Sequence, residues 1–179
     1  MKTLVSIQCA VLVLTAVGAE RESLSPKLAL RDSVSLRSAI YVPAAAKDGK
    51  VGTSLLFSPY KAAAKVDKWA KDRSDKGGYA RVQVDCRGTG GSEGRFVAYR
   101  PDTVDDAKDV LDAIAAQPWS NGRVVMSGGS FPGWTQFCAM RSGSPALVAC
   151  SPSVMTAPPI SAFSMRKDLL PVMTNSAVS

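Results

Sequence analysis

Two short glycine–serine motifs are the places in this sequence where a hydroxyl group could attack a carbonyl carbon. Residues 90–94 read GGSEG and match the G-x-S-x-G pattern of nucleophilic serines letter for letter. Residues 128–133 read GGSFPG, a looser match because the next glycine follows Ser130 by three positions instead of two. Either motif would support acyl transfer through a covalent acyl-serine.

The sequence context favours Ser130 over Ser92 as the nucleophile. Such a serine needs a strand, a sharp turn and a helix in immediate succession, so that its hydroxyl projects beside the helix N-terminus. The β-prone residues 124–126 precede Ser130, and residues 134–140 suit a buried helix. Ser92 instead lies in a glycine-rich loop followed by residues that are not helical, so we predict a loop residue there. On the motif alone, a plain strand–helix turn is an equally good interpretation of residues 128–133.

The elements around these motifs alternate between strands and helices. The pattern predicts strands at residues 35–42, 53–57, 79–84, 123–127 and 146–150. It predicts helices or helical segments at residues 60–73, from residue 102 or 103 to 118, and at 131–141. Such alternation implies crossover connections, and hence an α/β fold with a mostly parallel sheet. After residue 152 the pattern fades, and the predicted sheet looks unfinished.

Composition and the N-terminus predict a secreted globular protein. The chain has 179 residues, of which 46% are hydrophobic and 21% charged, enough for one domain with a real core. Residues 1–19 have the layout of a signal peptide, with Lys2, an apolar stretch and small residues before a cleavage site after Ala19. A buried N-terminal helix is the alternative. We expect no membrane association after cleavage, and the dispersed net charge of +7 gives little support to nucleic-acid binding.

The remaining cysteines and the glycine loop predict no metal or cofactor. Cys86, Cys138 and Cys150 remain after cleavage, and an odd number leaves at least one thiol free or paired outside this segment. All three lie in apolar surroundings, where cysteines usually pack. No pair has metal-ligand spacing, and the sequence contains no histidine. The loop at residues 88–94 lacks the G-x-G-x-x-G arrangement of dinucleotide-binding folds.

Several motifs occur together and in a fixed order. They are the opening strands at residues 31–43, SPY at 58–60, DCRGTGGSEG at 85–94, and QPWSNGR at 117–123 followed by the Ser130 motif. This set resembles the catalytic domain of the family that contains X-Pro dipeptidyl-peptidases, cocaine esterase, α-amino-acid ester hydrolases and glutaryl acylases. The resemblance implies an α/β-hydrolase fold, a mostly parallel sheet flanked by helices and here truncated. Residues 20–160 would form the N-terminal part of that domain, and residues 161–179 are an unassigned tail.

The resemblance also implies roles for individual residues. Ser130 would attack an ester or amide carbonyl of a small-molecule or peptide substrate. The phenol of Tyr60 and the backbone N–H of Phe131 would donate hydrogen bonds to the oxyanion that forms. Asp85 and Arg87 would brace their loop, with a local ion pair as the simplest interpretation.

One departure from the family pattern is decisive for activity. In α/β-hydrolases the serine is followed along the chain by an acid and a histidine, and here Asp168 is the only acid after Ser130. Asp168 lies too close to be assigned as the acid. The prediction is a secreted serine hydrolase that is incomplete as given, and we expect the chain alone not to hydrolyse activated esters appreciably. A catalytically inactive fragment or a secreted binding protein is the alternative.

Overall fold

A computed structural model of the chain describes residues 27–44, 46 and 49–154. The predicted signal peptide at residues 1–19 and the unassigned tail at 161–179 lie outside the described residues, as does Asp168. Among the described residues, no helix combines the length and apolar character needed to cross a membrane.

The described residues form strands and helices close to the predicted ones. The strands are β1 (Lys27–Ala29), β2 (Ser35–Tyr41), β3 (Val51–Ser58), β4 (Ala80–Asp85), β5 (Ser120–Gly129) and β6 (Leu147–Ser153). The helices are α1 (Lys68–Gly77), α2 (Thr103–Ala115) and α3 (Phe131–Ser142), with a 3-10 turn at Ala62–Ala64. Strand β1 was not predicted, because three residues are too few for a periodic pattern to be visible.

The strands lie in one sheet with the order β1-β2-β4-β3-β5-β6. Strands β1 and β2 are antiparallel to their neighbours, whereas β4, β3, β5 and β6 run parallel. The predicted mostly parallel sheet is therefore confirmed. Parallel strands bring their carboxyl ends to one edge, which gathers the residues after β3, β4 and β5 in a single place.

The helices α2 and α3 pack against each other and against the sheet, and form the main core with it. The apolar face that the spacing predicts for α2 is buried, with Ala107, Val110, Leu111 and Ile114 all nearly inaccessible to solvent. Helix α3 is buried over most of its surface, including Trp134 and Cys138. This packing fixes α3, and with it the turn at its N-terminus, rigidly against β5.

The segment predicted as a helix or helical loop, residues 60–73, is helical only in part. Residues 60–73 do not form one helix: the 3-10 turn ends at Ala64, and α1 begins only at Lys68. Asp67 caps α1 by accepting a hydrogen bond from the Ala70 N–H, at 2.8 Å. The alanine-rich composition of this segment favours helix locally, but the backbone before Asp67 is held in another conformation by buried side chains of β4.

Candidate active site

Ser130 occupies a sharp bend between β5 and α3. Strand β5 ends at Gly129, α3 begins at Phe131, and the Ser130 side chain is exposed. The Ser130 backbone has φ 60° and ψ −130°, a conformation that non-glycine residues rarely adopt. Such strain costs on the order of 1–3 kcal/mol and is maintained only where the surrounding structure imposes it. The sequence-based expectation of strand, tight turn and helix is met here.

The small residues before Ser130 are required by this bend. Gly128 has φ 149°, and a Cβ added there would lie 2.7 Å from the Cβ of Pro132. Both the backbone conformation and the space exclude a larger residue. Pro132 lies in the first turn of α3, where its missing N–H leaves no intrahelical bond unmade.

The backbone of Ser130 is anchored on both sides. Its N–H points to the carbonyl oxygens of Ser153 and Val154, each at 3.0 Å, at the end of the neighbouring strand β6. Its carbonyl oxygen accepts from the N–H groups of Gly133 and Trp134 in the first turn of α3. These contacts compensate the strained conformation and leave the side chain free to project.

The hydroxyl of Tyr60 lies 3.2 Å from the Oγ of Ser130, although 70 residues separate them in the chain. Tyr60 follows the carboxyl end of β3, which neighbours β5 in the sheet. The Phe131 N–H opens α3 directly after Ser130, and no acceptor for it is found among the described residues. The structure thus brings together the three residues for which the family resemblance implied a role in the site: Ser130, Tyr60 and Phe131.

Two buried polar residues of α3 support the bend, and sequence reasoning missed both. The Gln136 amide nitrogen donates to the carbonyl oxygens of Gly128 and Pro132, and its oxygen accepts from the Ser151 N–H. The Thr135 hydroxyl donates to the carbonyl of Phe57 on β3, at 2.8 Å. A polar residue at a buried helical position is the signal that could have identified them.

Ser92 is a structural residue, as its sequence context predicts. Its hydroxyl donates to the Asp85 carbonyl oxygen at 2.7 Å and accepts from the Arg37 N–H at 2.9 Å. The predicted local ion pair between Asp85 and Arg87 is wrong. Arg87 instead pairs with Asp106 on α2, at 2.6 Å, and with Asp32.

The Asp106 hydrogen bond raises the pKa of the Arg87 guanidinium, so Arg87 stays charged and ties the glycine-rich loop to α2. The Asp85 carboxylate, which is fully buried, accepts from the Ala63 N–H at 3.0 Å. Arg87 and Asp85 therefore act on different neighbours, because the loop turns their side chains apart.

Aromatic rings surround the first turn of α3. The Phe131 ring packs against Phe96 and Tyr99, with ring centroids 5.6 and 5.4 Å apart. Tyr99 also meets Trp134 edge-on at 5.5 Å. The rings of Phe96 and Tyr99 are partly exposed and cover the ring of Phe131, which is buried.

Among the described residues, the three cysteines Cys86, Cys138 and Cys150 are free thiols. Cys86 and Cys138 are buried, whereas Cys150 is only partly so. Burial raises the pKa of the Cys138 thiol to about 12 and also raises that of Cys86. Both thiols therefore stay protonated and pack as small apolar groups. No cluster of three potential metal-ligating side chains occurs among the described residues.

Solved structures of hydrolases share the fold of the described residues. An α-amino acid ester hydrolase superposes with a TM-score of 0.67 and 27% identity, over 87% of this chain and 29% of that chain. An aminopeptidase from the marine sediment archaeon Thaumarchaeota archaeon superposes with a TM-score of 0.65 and 24% identity, over 80% and 27% of the respective chains. The sheet and its helices are therefore part of an α/β-hydrolase fold.

Sequence comparison gives the family. The profile of the X-Pro dipeptidyl-peptidase (S15) family matches residues 32–170. Cocaine esterase from Rhodococcus sp. (strain MB1 Bresler) is 38% identical over 135 residues, which cover 72% of this chain and 22% of the esterase. The chain belongs to the X-Pro dipeptidyl-peptidase (S15) family of hydrolases. It spans less than a third of the length of each of these three relatives.

Proposed function

We propose that this chain carries the nucleophile and the oxyanion-binding half of a secreted serine hydrolase that cleaves ester or amide bonds. The observation that carries the proposal is the 3.2 Å contact between the Tyr60 hydroxyl and the Oγ of Ser130, at a strained bend that exposes the serine. The two residues are 70 positions apart in the sequence, so their contact depends on the fold and not on the local sequence. Membership of a hydrolase family supports the same conclusion.

The reaction begins when Ser130 Oγ attacks the carbonyl carbon of the substrate. A base removes the hydroxyl proton as the new C–O bond forms, and the carbonyl electron pair becomes a negatively charged oxygen. The bond to the leaving alcohol or amine then breaks, and the leaving group takes the proton. Water hydrolyses the acyl-serine by the same steps and regenerates Ser130.

The oxyanion is stabilised by two donors on opposite sides of the bend. The Tyr60 hydroxyl donates from the end of β3, and the Phe131 N–H donates from the first turn of α3. A preorganised donor of this kind contributes on the order of 10²–10³-fold to the rate. Tyr60 is suited to this role because a phenol hydroxyl can donate a hydrogen bond to an oxyanion.

The given sequence contains no histidine, so the proposed base is an imidazole that these residues do not supply. An imidazole group has the pKa that suits a general base near neutral pH. The proposal therefore assigns to Ser130 a partner of imidazole type. Secretion rests on the signal-peptide pattern of residues 1–19, and the substrate is a small molecule or a peptide, in keeping with the peptidases and esterases among its relatives.

Chemical complementation tests the proposal on the 179-residue chain itself. The chain is mixed with p-nitrophenyl acetate, with and without free imidazole, and acetylation of Ser130 is followed by peptide mass spectrometry. We expect acetyl-Ser130 to form with imidazole and not appreciably without it, because free imidazole substitutes for the missing base. The release of p-nitrophenolate above the background of imidazole alone gives the rate.

The matched control is the pair Ser130→Ala and Ser92→Ala. Ser130→Ala should abolish the protein-dependent rate, whereas Ser92→Ala should leave a measurable rate in the folded fraction, because the Ser92 hydroxyl does not itself react. Acetylation of Ser92, or an equal rate in Ser130→Ala, would contradict the proposal. Absence of any acylation with imidazole in a folded chain would favour the catalytically inactive alternative.

A further inference from the structure

Burial does not hold the Tyr60 phenol in place. Tyr60 is 62% exposed, and the hydrogen bond found for its hydroxyl among the described residues is the one with Ser130. Because an exposed side chain can change rotamer, its position is defined only within the limits that its backbone sets. The backbone of the segment that follows β3 fixes the Cα of Tyr60 and so limits the positions that the phenol can reach.

Three buried side chains at the ends of β3 and β4 bind that backbone. Ser58 Oγ accepts from the Tyr60 N–H at 3.1 Å, and Asp85 Oδ1 accepts from the Ala63 N–H at 3.0 Å. Gln83, with its amide oriented to donate, binds the carbonyl oxygens of Ala62 and Lys65 at 2.7 and 3.0 Å. All three side chains are nearly inaccessible to solvent. Hydrogen bonds made in such surroundings constrain geometry strongly, because a lost partner cannot be replaced by water.

Asp85 is held in turn by the glycine-rich loop that follows it. The Gly90 backbone, at φ 59°, lies so close to Asp85 Oδ2 that an added Cβ would be 1.9 Å from that oxygen. The Ser92 hydroxyl donates to the Asp85 carbonyl oxygen. Asp85 Oδ2 lies against the Gly90 backbone and has no hydrogen-bond partner among the described residues. The other oxygen, Oδ1, accepts from the Ala63 N–H.

We infer that Asp85 is a positioning residue for Tyr60, and that the loop of residues 87–94 serves the active site by holding Asp85 in place. This inference rests on the proposed function, because it concerns Tyr60 as the oxyanion donor. An oxyanion donor must lie within about 2.7–3.1 Å of the developing charge. A displacement of about 1 Å can cost on the order of 10²-fold in rate.

A double-mutant cycle on the imidazole-assisted acetylation of Ser130 tests this role. Tyr60→Phe removes the donor, Asp85→Ala removes the acceptor for Ala63, and the double variant combines them. We expect each single variant to lose about tenfold or more in acylation rate per folded molecule, consistent with the loss of one oxyanion donor. If Asp85 acts through Tyr60, Asp85→Ala should cause no further loss in the Tyr60→Phe background.

Two further variants separate positioning from general stability. Asp85→Asn keeps an oxygen that can accept from Ala63, so it should retain the rate within about threefold of the parent chain. Asp109→Ala removes a carboxylate of α2 that pairs with Arg31 and contacts neither Tyr60 nor Asp85 in any hydrogen bond found among the described residues. That variant should lower stability, leave the rate per folded molecule unchanged, and act independently of Tyr60→Phe.

Multiplicative losses from Asp85→Ala and Tyr60→Phe would overturn the inference, because they would show that Asp85 does not act through the phenol. So would an Asp85→Ala variant that acylates at the parental rate. In either case the loss of acylation in Ser130→Ala would leave the proposed function standing. Failure of acylation in the parent chain, by contrast, would remove both.

Discussion

The two glycine–serine segments of this chain carry nearly the same letters, yet their hydroxyl groups have opposite surroundings. Ser92 is half-buried, and its hydroxyl both donates to Asp85 and accepts from Arg37. Ser130 is exposed, and its hydroxyl meets the Tyr60 phenol at 3.2 Å. The segment that matches the nucleophile pattern letter for letter is thus the one whose oxygen is committed to structure. The letters of the pattern therefore do not decide whether a serine hydroxyl is exposed or bound by the surrounding structure.

The largest effect on stability is expected from a substitution at Gly90, in the loop that contains Ser92. In Gly90→Ala the new Cβ would meet the buried Asp85 carboxylate, and φ 59° disfavours any side chain. We expect the free energy of unfolding to fall by about 2–5 kcal/mol, from overpacking combined with left-handed strain. Urea denaturation followed by circular dichroism measures the change.

Gly143→Ala is the matched control for that variant. Gly143 has φ 66°, close to that of Gly90, but nothing lies within 4 Å of an added Cβ. The control should therefore lose only the backbone contribution, about 1–2 kcal/mol. Equal losses in the two variants would mean that contact with Asp85 has no energetic consequence.

The serines themselves give the next largest difference. Ser92→Ala leaves the Asp85 carbonyl and the Arg37 N–H without their partner, and we expect a loss of about 1–3 kcal/mol in stability. Ser130→Ala removes an exposed hydroxyl and should change stability by no more than about 0.5 kcal/mol. Denaturant midpoints of the two variants, measured side by side, check the prediction. A reversal of the order would mean that Ser130 carries structural weight.

The strand–turn–helix around Ser130 could be predicted because it is local. The β-prone residues 124–126, the two glycines and Pro132 each favour the same conformation, and neighbours in sequence are neighbours in space. The mostly parallel character of the sheet followed from the alternation of strands and helices. Tyr60 was different: its place beside Ser130 was expected through the family resemblance and from no property of its own segment.

The failures concern residues whose partners lie far along the chain. Residues 60–73, predicted as a helix or a helical loop, form a 3-10 turn and the start of α1 instead of one continuous helix. The reason is that Gln83 and Asp85 bind the backbone before Asp67 through hydrogen bonds that local propensity cannot show. Arg87 was expected to pair within its loop and pairs with α2 instead. In each case a polar side chain binds a partner that is distant in sequence, and only the fold brings the two together.

The smallest expected effect concerns the strain at the bend itself. Ser130→Gly relieves a backbone conformation that costs on the order of 1–3 kcal/mol, at an entropic cost of about 0.5–1 kcal/mol from the more flexible unfolded chain. We expect a net gain of about 1 kcal/mol in the free energy of unfolding, together with loss of acylation. Ser127→Gly, at an exposed position of the same strand, is the control and should lose about 0.5–1 kcal/mol. Equal destabilisation of the two variants would mean that the Ser130 backbone is not strained and that packing alone keeps its hydroxyl exposed.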